Sequence, residues 1–397
     1  MSLVCALLMT LCCDDWPQWL GPTRENVSKE KVAPWTDAPK LVWKKPVGEG
    51  HSSPIVVHDR AILHVHVPGK DEEEILVVDA RTGEDVWRRT MPRAPFKSPF
   101  GIGPRATPLV HGNKLYAFGV TGVLSCWEEA TGKPVWQVDT LKEFNAPNLT
   151  FGVSCSPIIE GDLLLVNVGG PGASIVAFRK DTGEVAWKAL DDKASYSSPI
   201  VVGSGADREV IFLTQKGLVG LSPADGNVRW KCPLVDKLSE SSTTPVIAGG
   251  LLIGSSVTTG SVALALKGEK TAEAWKNPKL TCYISTPVEA GKETYLVTGT
   301  IMKPSATLHC VESATGKILW SKPEIGQYHA ALLRTGDGRL LMLDDGGNLS
   351  LLDPDPKEYK ELARSKVCGS TWAHPALANG KLYLRDKKEL VCLELAR

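Results

Sequence analysis

Short apolar-rich runs such as Ala61 to Val67, Ile75 to Asp79 and Val86 to Thr90 are each closed by Gly, Pro, Asn or Asp, which predicts short antiparallel strands. The runs recur as a set. The stretch Asp79-Ala80-Arg81-Thr82-Gly83-Glu84-Asp85-Val86-Trp87 returns in altered form as Ala130 to Trp136, Asp181 to Trp187, Ala224 to Trp230 and Ala314 to Trp320. Each copy reads as a strand end, a tight Thr-Gly or Asp-Gly turn at the positive φ that glycine tolerates, and a strand anchored by tryptophan.

A second marker, a Ser/Thr-Pro that opens the first strand, aligns the units. It stands at Ser53-Pro54, Thr107-Pro108, Ser156-Pro157, Ser198-Pro199, Thr244-Pro245 and Thr286-Pro287, with variants at Ala330-Ala331 and His374-Pro375. The spacing runs from 42 residues (Pro157 to Pro199) to 54 (Pro54 to Pro108), the range of four-stranded propeller blades. The last unit offers three strands, whereas Leu41 to Val47 is a fourth strand without a unit; joining them closes a ring and pairs both open edges. The expectation is an all-β, eight-bladed β-propeller of four-stranded antiparallel blades, closed by an N-terminal strand in the C-terminal blade. It occupies residues 41–397, after an irregular Pro- and Trp-rich arm at 14–40 expected to lie on a neighbouring surface. Two units depart from the pattern: the fifth has Lys270-Thr271-Ala272 for the Thr-Gly turn, and the seventh has lost its tryptophan and turns at Asp353-Pro354-Asp355-Pro356.

Composition removes some functions. With 45 basic and 45 acidic residues among 397, there is no electrostatic footprint for nucleic acid or an anionic membrane. Residues 1–13, with the apolar run Leu3 to Cys13, are too short to span a bilayer and read as the remnant of a secretory signal; they predict export to the periplasm or cell envelope, and a membrane link only through an N-terminal anchor. Cys126, Cys310 and Cys392 share one register of the third strand, where other units carry Val77, Ala177, Gly220 and Ala265, so they read as small buried residues. The other cysteines lack metal-ligand spacing, and neither a disulfide framework nor a metal site is assigned.

The Thr-Gly-x-x-x-Trp copies resemble the pyrroloquinoline-quinone-like repeats of eight-bladed propellers, a family that includes BamB-type outer-membrane assembly lipoproteins and quinoprotein alcohol dehydrogenases. The resemblance covers residues 41–397. Asp15 to Ser28 is also similar to the opening of a bacterial group of such propellers, which usually has Arg and Gly where this chain has Leu20 and Asn26. The resemblance implies an envelope protein or peptide as partner and a monomer. It also implies a rival reading, a dehydrogenase of small alcohols or sugars using pyrroloquinoline quinone (PQQ) with calcium. In those dehydrogenases adjacent cysteines form a disulfide in many members; here the adjacent pair, Cys12 and Cys13, stands outside the propeller, so no cofactor is expected.

The repeated Trp43, Trp87, Trp136, Trp187, Trp230, Trp275 and Trp320 occupy one position of the outermost strand, so they read as packing between blades. The residue three before each strand-opening position borders the channel and varies in chemistry: His51, Arg105, Ser154, Tyr196, Ser242, Ile284, Tyr328 and Trp372. Positions that vary within a repeat are free for recognition. With His329 and His374 nearby, the binding site is placed on this rim, at His51, Arg105, Tyr196, Tyr328, His329, Trp372 and His374, with no catalytic residue. His58, His64 and His66 read as hydrogen-bonded strand histidines. Asp71 to Glu74 reads as a solvated hairpin tip and Asp344 to Asn348 as a turn. No nucleophile elbow, phosphate loop or metalloprotease helix is present. The expected function is a non-enzymatic binding or scaffold propeller of the bacterial envelope. PQQ-dependent dehydrogenation and carbohydrate binding are the alternatives.

Overall fold

The computed structural model describes residues 14–396 apart from Glu269, Ile301 and Met302; the apolar run Leu3 to Cys13, with Cys12 and Cys13, lies outside the described residues. Eight four-stranded antiparallel sheets form the blades of a ring. Blade 1 is built from Ile55–Val57, Arg60–His66, Glu72–Asp79 and Asp85–Pro92. Blade 8 joins Ala376–Ala378, Lys381–Arg385 and Glu389–Glu394 to Lys40–Pro46, which pairs Trp43 with Cys392 and completes the blade from both ends of the chain. Burial explains the sequence pattern. In blade 1 the first three strands are buried on both faces by the neighbouring blades and read as apolar runs, while Asp85–Pro92 is covered only at Trp87 and Met91.

Both markers act between blades. The hydroxyl before the opening proline accepts the amide of the equivalent residue one blade back, from Ser53 to Thr107, Thr107 to Ser156 and Ser156 to Ser198, and Ser53 Oγ accepts the His374 amide across the seam. The Trp87, Trp136, Trp187 and Trp275 indoles donate to carbonyls of the next blade at 2.8–3.0 Å and lie against the glycine of its turn, as does Trp43 over Gly83 at the seam. The exception has a cause. Blade 5 lacks the Thr-Gly turn because its ladder continues to Lys267–Lys270, so Trp230 bonds Glu209 of its own blade instead. That longer ladder also corrects the register read from sequence: the residue opposite Trp275 is Ala263, not Ala265.

In blades 2, 6 and 8 the residue opposite tryptophan is cysteine, flanked on the other side by tyrosine, as in Tyr116, Cys126 and Trp136. The small side chain lets the two rings approach to about 6 Å. Burial pushes the Cys126 and Cys392 thiols up to about 12, far from reactive thiolates.

One charged segment differs from its sequence reading. Glu72 to Glu74 belong to a strand rather than a solvated tip, and Glu73 is 1% exposed. Its carboxylate lies 3.0 Å from His64 Nε2 and 3.4 Å from Arg93 Nη1, and accepts the Val120 N–H. Burial alone would raise its pKa, but these partners outweigh burial and hold it below the usual carboxylate range. His64 thus has an acidic partner one strand away, invisible from spacing alone. His66 bonds the Lys70 carbonyl.

Candidate functional site at the channel mouth

The arm enters the ring instead of lying beside it. Trp16 forms a bridge with Val56 of blade 1, and Pro17 accepts the Val110 amide of blade 2. Arg24 donates to the Pro157 and Pro199 carbonyls of blades 3 and 4, Trp19 to Thr244 of blade 5, and Asn26 to Leu332 of blade 7. One short segment therefore touches inner strands around most of the ring and corks the channel from the end where each first strand finishes. Apolar burial drives this: Trp16 and Leu20 are 2% and 1% exposed. Leu20, Arg24 and Asn26 all have φ near +60°, the backbone needed to fold the segment back inside the ring.

Above the cork the mouth is a cup with Trp19 in its lining. His51, Arg105, Ser154, Tyr196, Ser242, Ile284 and Trp372, seven of the residues that stand three before a strand opening, line it together. Tyr328, the eighth, lies in an adjoining cavity that shares His51, Phe100 and Trp372 with the cup. Asp345 holds the Tyr328 amide at 2.6 Å. The other two sequence candidates lie elsewhere: His329 and His374 are 1% and 2% exposed, with ring centroids 5.6 Å apart, and Trp19 packs edge-on against His374 at 4.7 Å. Their chain position is the cause. They stand closer to the strand opening than the rim residues do, where the backbone already faces neighbouring blades; His329 bonds Ser285 at 2.8 Å.

Phe100, Phe151 and Tyr283 complete the wall, and position counting missed them because they come from the long connections rather than from one register. The aromatic residues shortly before several strand openings, among them Phe100, Phe151 and Tyr283, were the available signal. Ring contacts run from His51 stacked on Trp372 (5.3 Å), through Phe100 (5.7 Å) and Phe151 (5.5 Å), to Tyr196 (5.4 Å). Arg105 donates to the carbonyls of Phe100, Gly101 and Phe151. Burial, then the charges of Arg105, Arg385 and Lys387 against a bond to the Phe100 carbonyl, push the His51 imidazole down to about 3 and keep it neutral. The cavity measures about 120 Å³. A second adjoining cavity, lined by Leu149 and Leu238, shares Phe151 and Tyr196 with it, so a furrow crosses the mouth with the cup at its centre.

A closed ring of eight repeated blades, corked on one side and furrowed on the other, defines an eight-bladed β-propeller. The chain belongs to the family described as outer membrane protein assembly factor BamB, whose model matches residues 71–322. It is 23% identical over 291 residues to the outer membrane protein assembly factor BamB of Yersinia pestis, covering 70% of this chain and 71% of that protein. Among solved structures, BamB from Moraxella catarrhalis is similar at a TM-score of 0.62 and 14% identity, over 89% of this chain and 98% of that one. The quinohemoprotein alcohol dehydrogenase from Comamonas testosteroni is similar at 0.69 and 13% identity, over 97% of this chain and 81% of that one. At these identities the structural likeness speaks to fold alone.

The cup's charge matches the quinone cofactor of the dehydrogenases poorly: PQQ carries three carboxylates, and among the described residues Arg105 is the one cation in the cup's lining. Trp19 and Arg24 occupy the channel below. No three His, Cys, Asp or Glu side chains gather into a cation site among the described residues.

Proposed function

We propose that the protein is a non-catalytic scaffold of the bacterial cell envelope that holds a segment of an envelope protein across the channel mouth. The observation that carries this reading is the furrow, because it is continuous, lined by aromatic rings and Arg105, and backed by a rigid closed ring. Buried aromatic and arginine side chains are the residue types that dominate interface energies. Family membership supplies the setting: the relatives are outer membrane protein assembly factors, so the partner is sought among proteins of that process.

The test is a double substitution, Arg105→Ala with Trp372→Ala, assayed by capture of an identified envelope partner alongside thermal unfolding. Capture should be lost while cooperative unfolding is retained. Undiminished capture by a folded double variant would move the binding site off this face.

A further inference from the structure

The cup joins a wall of rings to a cation that has no ion-pair partner among the described residues, and giving it an occupant rests on the proposal that the mouth is the binding face. We propose that the cup seats a single aromatic ring linked by a short aliphatic spacer to a carboxylate, with the ring between Phe100, Phe151, Tyr196 and Trp372 and the carboxylate against Arg105.

Size selects the ring. An apolar cavity of roughly 150 Å³ accepts benzene, and the cup, at about 120 Å³, is of the size that seats one six-membered ring. Charge selects the carboxylate. Arg105 meets carbonyls and Ser98 Oγ, and among the described residues no carboxylate forms an ion pair with it. Arg385, 1% exposed, likewise bonds the Gly48 and Asp386 carbonyls and leaves Nη1 without a partner. Glu49 accepts the Ile102 amide and acts on both arginines only at longer range, and Glu240 accepts the Tyr283 hydroxyl. A ring-lined cup without the arginine would favour cations; with Arg105 in the wall a cation is repelled and an anion neutralises a half-buried charge. Opposite it, Ser154 and Ser242 give their hydrogens to the Gly152 and Glu240 carbonyls.

The same chemistry is carried by a free aryl-alkyl acid and by the last residue of a polypeptide ending in phenylalanine or tyrosine. Calorimetry with N-acetylphenylalanine, its amide, N-acetylleucine and phenyltrimethylammonium separates ring from charge. The acid should bind at least roughly tenfold more tightly than each of the other three, and Arg105→Gln should equalise acid and amide while cooperative unfolding of the free protein is retained. Equal binding of acid and amide to the wild type, preference for the ammonium probe, or no saturable binding of the acid overturns the proposal. Pentapeptides ending in phenylalanine, with free and amidated termini, assign the source: tighter binding of the free-ended peptide than of N-acetylphenylalanine points to a chain end, and the reverse to a small acid, both within the proposal. Partner capture that depends on Trp372 without acid-over-amide discrimination would overturn this inference and leave the scaffold reading standing.

Discussion

Gly316 has φ +70°, and a Cβ added there would come within 2.5 Å of the Trp275 ring. Gly316→Ala therefore carries both the left-handed backbone penalty and an overpacked inter-blade contact, and should cost about 2–4 kcal/mol in urea unfolding. Gly112, at φ +58° with open space around it, isolates the backbone term, so Gly112→Ala should cost about 1–2 kcal/mol. A second residue-scale prediction concerns acid. Burial pushes His329 down from 6.5 to about 3 and drives His374 well below its usual value, with His329 adding to the latter shift. Between those limits the unfolded chain binds protons that the folded chain does not, so stability is complete above about pH 6.5 and falls as pH drops toward 3. Glu73 acts in the same direction, losing its contribution as pH falls through its lowered pKa. A plot of unfolding temperature from about pH 7 to pH 4 should slope downward on acidification, and His329→Gln should make that slope shallower.

At the scale of elements, the blades could be read from sequence because the turn and tryptophan do the same physical job at five blade junctions and the Ser/Thr hydroxyl at four. The two irregular turns were also visible, and the displaced Trp230 hydrogen bond follows from one of them. The arm was visible as a segment but not in its path. Trp16 and Trp19 announce burial without saying against what, since their partners, Val56 and Thr244, are set by ring closure rather than by local pattern. The same limit hid the Glu73 pair, because burial of a charged strand depends on Arg93 and His64 converging from other segments. Seven of the eight rim positions line one cup because they share a register, while Phe100, Phe151 and Tyr283 join it from connections that no register predicts. The cork is an integral part of the fold on this view. Trp16→Ala should cost about 3–5 kcal/mol by denaturant unfolding, the range for removing a fully buried large aromatic side chain. A change under 1 kcal/mol would mean the arm is only loosely seated.

For the whole molecule, closure and corking leave two unlike faces. The Thr-Gly turns crowd one face, where Thr131 is exposed, and the furrow with Tyr328 and the exposed Leu238 lies on the other. A closed ring with inter-blade hydrogen bonds from blade 8 through blade 4, and the arm inside it, gives little scope for the channel to open, so recognition falls to the mouth. The most direct measurement is a photo-crosslinking map, with a photoreactive residue placed in turn at Tyr328, Leu238 and Thr131 in cells. Binding across the furrow predicts adducts with an identified outer-membrane assembly protein from Tyr328 and Leu238 and none from Thr131. Adducts from Thr131 with none from the mouth would contradict it.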